Sequence, residues 1–199
     1  MDESKILVHF EDGSDARGNI LVGCDGIHSR TRHIMMPDVS EPIYTKMIVS
    51  GGYTNIPMEY KTSNIIHTNY CKKSFLAYYV LPDGETWWWN GMSYPQEQTK
   101  DELEKIPNEQ WQQDLIKLYD EDHDIVQELV KKTPDKFLKY PIYEMPSIHT
   151  WHKDNVCLIG DAAHAISPHA GQGASMAMED AITLAKCLRD VKDTKKAFM

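Results

Sequence analysis

Asn155-Val156-Cys157-Leu158-Ile159-Gly160-Asp161-Ala162-Ala163-His164-Ala165-Ile166-Ser167-Pro168-His169-Ala170-Gly171-Gln172-Gly173, continuing through Leu188, is the stretch that decides the fold. Val156-Cys157-Leu158-Ile159 is a short apolar run closed by Gly160-Asp161, the pattern of a buried parallel strand that delivers a carboxylate at its carboxyl end. Open α/β sheets bind their ligands at that end. Two glycines one residue apart, Gly171 and Gly173, let backbone approach a ligand closely. Ala174 to Leu188 reads as one helix, whose free N–H groups and partial positive charge suit an anionic or electron-rich edge. Its first turn carries no cationic side chain, so the backbone does the attracting.

Working outward, length and composition set bounds. A chain of 199 residues with 41% apolar and 26% charged residues has an ordinary globular composition and can bury a real core. The net charge of −9, with no basic cluster longer than Lys131-Lys132 or Lys195-Lys196, argues against a nucleic-acid or anionic-membrane surface. Cys24, Cys71, Cys157 and Cys187 are far apart and form neither a disulfide framework nor a zinc spacing. No segment has the apolar length of a membrane span, and the first residues lack a secretory signal, so a cytoplasmic location is expected.

The chain opens with Ile6-Leu7-Val8-His9-Phe10, a β-rich run followed by turn residues Glu11-Asp12-Gly13-Ser14 and then Ile20-Leu21-Val22, which predicts a strand pair. Gly23-Cys24-Asp25-Gly26 turns a second strand, and Ser29 is placed to cap a short helix carrying Arg32. From Pro37 to about Thr150 the texture changes. Lys46–Ser50, Ser63–His67, Phe75–Leu81 and Thr86–Trp89 are β-branched and aromatic runs between turn signals, the pattern of an antiparallel sheet whose last two strands form a hairpin. Asn108 is expected to cap a helix with Trp111, Leu115, Leu118 and Tyr119 at helical spacing. Ile125, Val126, Leu129 and Val130 repeat the pattern in a second helix. Pro134 and Pro141 are expected to break the chain before the last β-α unit.

Gly23-x-Asp25-Gly26-x-x-Ser29-x-x-Arg32 resembles the DG motif of the single-component flavoprotein monooxygenases similar to para-hydroxybenzoate hydroxylase. Gly160-Asp161-Ala162-Ala163-His164, with Pro168-x-x-Gly171-Gln172-Gly173 and Glu179-Asp180-Ala181, resembles their GD motif. The two motifs stand in the family's order with a β-rich insert between them. The resemblance implies an α/β fold with an α+β insert: a partial Rossmann-type FAD-binding domain in two pieces, 1–39 and 151–199, around an antiparallel β-sheet substrate domain at 40–150. In the family the sheet domain forms the far wall of the aromatic substrate pocket.

The resemblance also implies FAD as cofactor and NAD(P)H as co-substrate. Cofactor-binding residues carried over from the motifs are Gly160, Asp161, Ala162, Pro168, Gly171, Gln172, Gly173 and Ala174 at one corner, and Asp25, Gly26 and Arg32 at the other. Asp161 would accept a hydrogen bond from a ribityl hydroxyl of FAD. The Pro168–Gly173 loop would lie along the isoalloxazine edge, with the following helix favouring negative charge at N1 and O2. Asp25 and Arg32 would stand near the pyrophosphate and the nicotinamide route. The implied reaction is hydroxylation of a small aromatic substrate with NAD(P)H and O2 through a flavin C4a-hydroperoxide. The alternatives are an epoxidase, halogenase or dehydrogenase of the same fold, or an inactive fragment of such an enzyme.

The family's G-x-G-x-x-G loop, which follows its first strand, is absent from this sequence, so the stretch reads as the middle and late part of a longer enzyme. No catalytic residue is assigned. His164 and His169 are expected to pack or to bond backbone rather than serve as general bases. Asp120-Glu121-Asp122-His123-Asp124 lacks the glycine and spacing of a calcium loop and reads as helix-terminus charge, so no metal is expected. Trp87-Trp88-Trp89 alternates faces on a strand. Met176 and Met178 are expected to fill core.

Overall fold

A computed structural model describes residues 5–55, 65–134 and 136–198. The chain divides into two compact units, Met1–Ile43 with Tyr143–Met199, and Tyr44–Ile142. The second of these lies a few residues inside the 40–150 span that the family resemblance implies for the sheet domain.

The first unit begins with β1 (Ile6–His9) and β2 (Asp15–Gly18), an antiparallel pair in which Ile6 faces Gly18. The expected partner of the first run was Ile20–Val22. The chain returns sooner because Asp12 Oδ1 accepts from the Ser14 N–H at 2.9 Å and Gly13 takes φ +84°, closing a tight turn just before Asp15. That leaves β3 (Leu21–Gly23) to join another sheet. Helix α1 (Arg30–Met35) follows, and Ser29 caps it as expected, its hydroxyl oxygen accepting from the Arg32 N–H at 2.9 Å.

The second unit is built on a five-stranded sheet of β4 (Ile43–Asn55), β5 (Ile66–Tyr70), β6 (Ser74–Val80), β7 (Glu85–Ser93) and β8 (Leu138–Glu144), in the order β5-β6-β7-β4-β8, with β5-β6, β6-β7 and β7-β4 antiparallel. Ser63 and Asn64, the expected start of the second run, lie outside the described residues. Helices α2 (Lys100–Lys105), α3 (Asn108–Leu118) and α4 (Asp124–Lys131) precede β8 in the chain. Two expectations change here. Pro107, not Asn108, occupies the N-cap of α3, and Asn108 is its first helical residue. Pro141 does not break the chain but sits within β8, which a sheet tolerates because β8 is an edge strand.

Alternation along the strands builds the core of this unit. Thr86, Trp88 and Asn90 are buried, while Trp87 is 41% exposed on the opposite face, as the strand period requires. Trp88 joins Ile48, Leu76, Trp111, Leu115, Tyr119 and the apolar side of α4 in one cluster. Three of its polar atoms are paired across it: Trp88 Nε1 donates to Thr133 Oγ1 at 2.9 Å, Trp111 Nε1 to Ser50 Oγ at 2.9 Å, and Asn90 Nδ2 to Tyr119 Oη at 2.7 Å.

Back in the first unit, β9 (His152–Lys153) and β10 (Val156–Leu158) complete a three-stranded sheet ordered β3-β10-β9. β10 runs parallel to β3, with Leu158 opposite Gly23. A Cβ on Gly23 would meet Leu158 Cδ2 at 2.7 Å and Thr31 Cγ2 at 2.8 Å, so only glycine fits where β3 passes so close to its neighbours. After β10 come α5 (Asp161–His164), a 3-10 turn at Pro168–Ala170, α6 (Gly173–Asp190) and α7 (Thr194–Ala197). None of the described side chains of α6 is buried, and Met178 is 63% exposed, against the expectation that it fills core. The half-buried residues of α6, Met176, Ala177, Asp180, Leu184, Cys187 and Leu188, recur at helical spacing, and Met178 falls off that stripe.

The candidate cofactor cleft

β10 ends at Leu158, and the chain turns at Gly160, whose φ of +58° and ψ of −144° suit glycine alone. Asp161 is therefore the first residue of α5, on the carboxyl end of the parallel strands. Across from it the 3-10 turn ends at Gly171 in the left-handed region, φ +64°, and α6 starts at Gly173. No side chain caps the start of α6 and no acidic residue stands in its first turn, so its leading N–H groups are left for another partner.

These two walls enclose an open cleft of about 510 Å³, lined by Cys24, Gly26, Ile159, Gly160, Asp161, Ile166, Pro168, Gly171, Gly173, Ala174 and Ala177. The Asp161 side chain is exposed and hydrogen-bonded to none of the described residues. A Cβ added to Gly173 would stand 4.0 Å from both Asp161 Oδ1 and Ile166 Cγ1, ordinary van der Waals contact, so the start of α6 lies beside the Asp161 carboxylate.

Of the residues singled out from sequence, Gly160, Asp161, Pro168, Gly171, Gly173, Ala174 and Gly26 line the cleft together. Ala162, Gln172, Asp25 and Arg32 do not. Ala162 is fully buried. The Gln172 amide turns back to donate to the Ala170 carbonyl at 3.4 Å. Asp25 accepts from Ser29 Oγ at 2.6 Å, from the Thr31 N–H at 2.9 Å and from Thr31 Oγ1 at 3.0 Å, so it organises the start of α1. Burial pushes the Asp25 carboxyl up, but these hydrogen bonds outweigh it and hold it below its ordinary value. Arg32 is completely buried, its guanidinium donating to the Ala162 carbonyl at 2.9 Å and the Ile27 carbonyl at 2.6 Å. It thus ties the α1 corner to α5. Burial pulls its pKa below the ordinary value, against the pull of Glu41 and Asp25.

Sequence reasoning missed Cys24, Ile159, Ile166 and Ala177. Ala177 stands one helical turn after Gly173 and was legible from the 3.6-residue period. Cys24 reaches the cleft only because β3 and β10 pair in the register that sets Gly23 beside Leu158, which no local pattern announces. Neither histidine lines the cleft. His164 pairs with Asp180, and His169, whose pKa burial pulls down, meets Ser167 Oγ.

The donor set suits FAD. A carboxylate acceptor fixed at a strand end matches a ribityl hydroxyl, and uncapped N–H groups beside two bare glycines match the flat, electron-rich edge of a flavin. Comparison with known proteins agrees. The model of the family described as FAD binding domain matches residues 4–196. The FAD-dependent monooxygenase eupB of Phoma sp is 31% identical over 216 residues, covering 96% of this chain and 45% of that protein. A chloroplastic zeaxanthin epoxidase of an Oncidium hybrid cultivar is 33% identical, covering 92% of this chain and 27% of its own length. Among solved structures, HpxO of Klebsiella pneumoniae complexed with FAD and uric acid aligns with a TM-score of 0.84 at 23% identity, over 100% of this chain and 50% of that one. The chain therefore spans half or less of the length of these relatives. With a match running from residue 4 to residue 196 and both motifs in place, the chain belongs to the FAD binding domain family, among the FAD-dependent monooxygenases similar to para-hydroxybenzoate hydroxylase.

Proposed function

We propose that this chain holds FAD in the Asp161 cleft, as part of a monooxygenase that uses NAD(P)H and O2 to hydroxylate a small aromatic substrate. The observation that carries the reading is the Asp161 carboxylate, presented at the strand end, without a hydrogen-bond partner among the described residues and facing the uncapped start of α6. Bound FAD would supply hydride acceptance and oxygen activation, chemistry that no side chain provides. The chain's own groups bind and orient. Asp161 would accept from a ribityl hydroxyl, and the leading N–H groups of α6 would stabilise negative charge on the flavin edge. Gly171 and Gly173 allow close approach, while Ile159, Ile166, Pro168 and Ala177 make part of the wall apolar. An aromatic substrate is supported by the family resemblance and by the uric acid, a planar heterocycle, in the HpxO complex. The zeaxanthin epoxidase relative favours a second reading, epoxidation on the same fold.

The test is a titration of the purified chain with FAD, followed by flavin fluorescence and absorbance. Saturable binding is expected, and Asp161→Ala should weaken it by roughly tenfold to a hundredfold, since a buried hydroxyl would lose a charged partner. An Asp161→Ala protein with unchanged affinity would remove Asp161 from the site. For the longer enzyme, NAD(P)H oxidation stimulated by aromatic acids supports hydroxylation, and epoxide formed from an alkene supports the second reading.

A further inference from the structure

The cleft has two walls that belong to different elements, the α5 turn and the start of α6, and one side chain joins them. Oδ2 of Asp180 accepts the Gly160 N–H at 2.8 Å and meets Nε2 of His164 at 2.6 Å. Those two residues bracket Asp161, Ala162 and Ala163, so a single oxygen straps both ends of the turn that presents Asp161. Asp180 lies seven residues, about two helical turns, after Gly173, on the side of α6 that also carries Ala177. A Cβ on Gly160 would stand 3.2 Å from the Ala177 Cβ, which shows how closely turn and helix approach there.

The proton on His164 follows from its neighbours. An ionised carboxylate only accepts, so Nε2 carries the hydrogen of the 2.6 Å contact. Nδ1 is buried and has no hydrogen-bond partner among the described residues. The ring packs against Trp151, centroids 4.9 Å apart. Both side chains are largely shielded, His164 at 14% and Asp180 at 16% exposed, so the pair is little screened by water. The other strap on the turn is the Arg32 guanidinium on the Ala162 carbonyl, which ties the turn to α1 and has no hold on α6.

We infer that Asp180 is a positioning residue for the cofactor: through Gly160 and His164 it fixes the distance between the Asp161 carboxylate and the N-terminus of α6, although it lines no part of the cleft. The inference rests on the FAD reading above. Two groups that must contact different parts of one ligand bind it well only if their separation is set beforehand, because ordering them at the moment of binding subtracts from affinity. Asp180→Ala removes both straps. Asp180→Asn keeps an acceptor oxygen in the same place and retains the geometry without the charge.

The experiment measures amide exchange at Gly160, the ¹⁵N tautomer of His164 and the dissociation constant for FAD in the same set of proteins. In Asp180→Ala, Gly160 should lose roughly tenfold or more of its protection, the His164 tautomer should cease to be fixed, and FAD should bind about tenfold more weakly. Asp180→Asn should restore affinity to within about threefold of the unsubstituted chain. If Asp180→Ala does not fold, His164→Phe keeps the ring on Trp151 but breaks one strap, and should weaken FAD by about threefold while Gly160 stays protected. Unchanged Gly160 exchange in Asp180→Ala would overturn the strap. Exchange released in Asp180→Ala with FAD affinity unchanged, or FAD affinity unchanged in His164→Phe, would overturn its role in positioning. An unsubstituted chain that binds no FAD would overturn the cofactor reading and this role together, while Gly160 exchange would still decide the strap.

Discussion

Arg32 illustrates what one residue does between two motifs. Its guanidinium is wholly buried, and its two carbonyl partners, Ala162 and Ile27, belong to segments 130 and 5 residues away. Arg32→Ala should lower the free energy of unfolding by about 2–4 kcal/mol, from the cavity and two stranded carbonyls together. Arg32→Lys should fall between, because an ammonium cannot span both oxygens in the fork geometry of a guanidinium. Urea denaturation of the two variants checks the ranking. At the same scale, Gly160→Ala forces an L side chain into φ +58° and against Ala177, and should cost about 1–3 kcal/mol by the same measurement. The sequence marked Asp25, Arg32 and Asp161 alike as important. The family resemblance gave all three to the cofactor; of the three, Asp161 lines the cleft, while Asp25 and Arg32 bond protein atoms. Motif spacing records that a residue is needed, whereas its partner depends on a register and a fold that bring position 32 to position 162.

Elements were more legible than their partners. Alternation predicted Trp88 opposite in facing to Trp87 and Trp89, and period 3.6 predicted the buried stripe of α4, because both patterns are local consequences of backbone geometry. β8 was obscured by Pro141, whose missing N–H matters only if the strand is interior. α2 was overlooked although Thr99 and Glu102 form a capping box, with the Glu102 N–H donating to Thr99 Oγ1 at 3.2 Å and the Thr99 N–H to Glu102 Oε2 at 2.8 Å. Packing of sheet on helix can be tested at Gly52, where a Cβ would meet Thr133 Cγ2 at 2.8 Å and disturb the acceptor of Trp88. Gly52→Ala should lower stability by about 1–3 kcal/mol. Tyr119 gives the same interface a pH signature. Burial pushes its phenol from an ordinary 10.0 up to about 12. The unfolded chain therefore loses this proton first, so the contribution is whole below about pH 10 and disappears as pH climbs through about 12. Tyr119→Phe should flatten that alkaline loss in denaturation curves, while costing about 1 kcal/mol at neutral pH because Asn90 Nδ2 loses its acceptor.

The whole molecule carries two cores of unequal size. The unit Tyr44–Ile142 gathers Trp88, Trp111, Tyr119, Phe137 and a set of aliphatic side chains, whereas the other unit centres on Met35, Leu158, Ala162 and Ala163. Apolar burial scales with area, so the smaller core should give way first. Calorimetry is expected to resolve two transitions, with only the earlier one raised by added FAD, since a ligand stabilises the part that binds it. A single transition indifferent to FAD would count against both the ranking and the location of the site. The consequence reaches furthest at α6. Eighteen residues long and without a buried side chain among those described, this helix keeps its order through a strip of contacts and the Asp180 bonds. Segments so lightly attached open readily, and an open helix is what a protease cuts. Cleavage within Gly173–Asp190, slowed as the cleft fills, would make this helix a built-in gauge of occupancy.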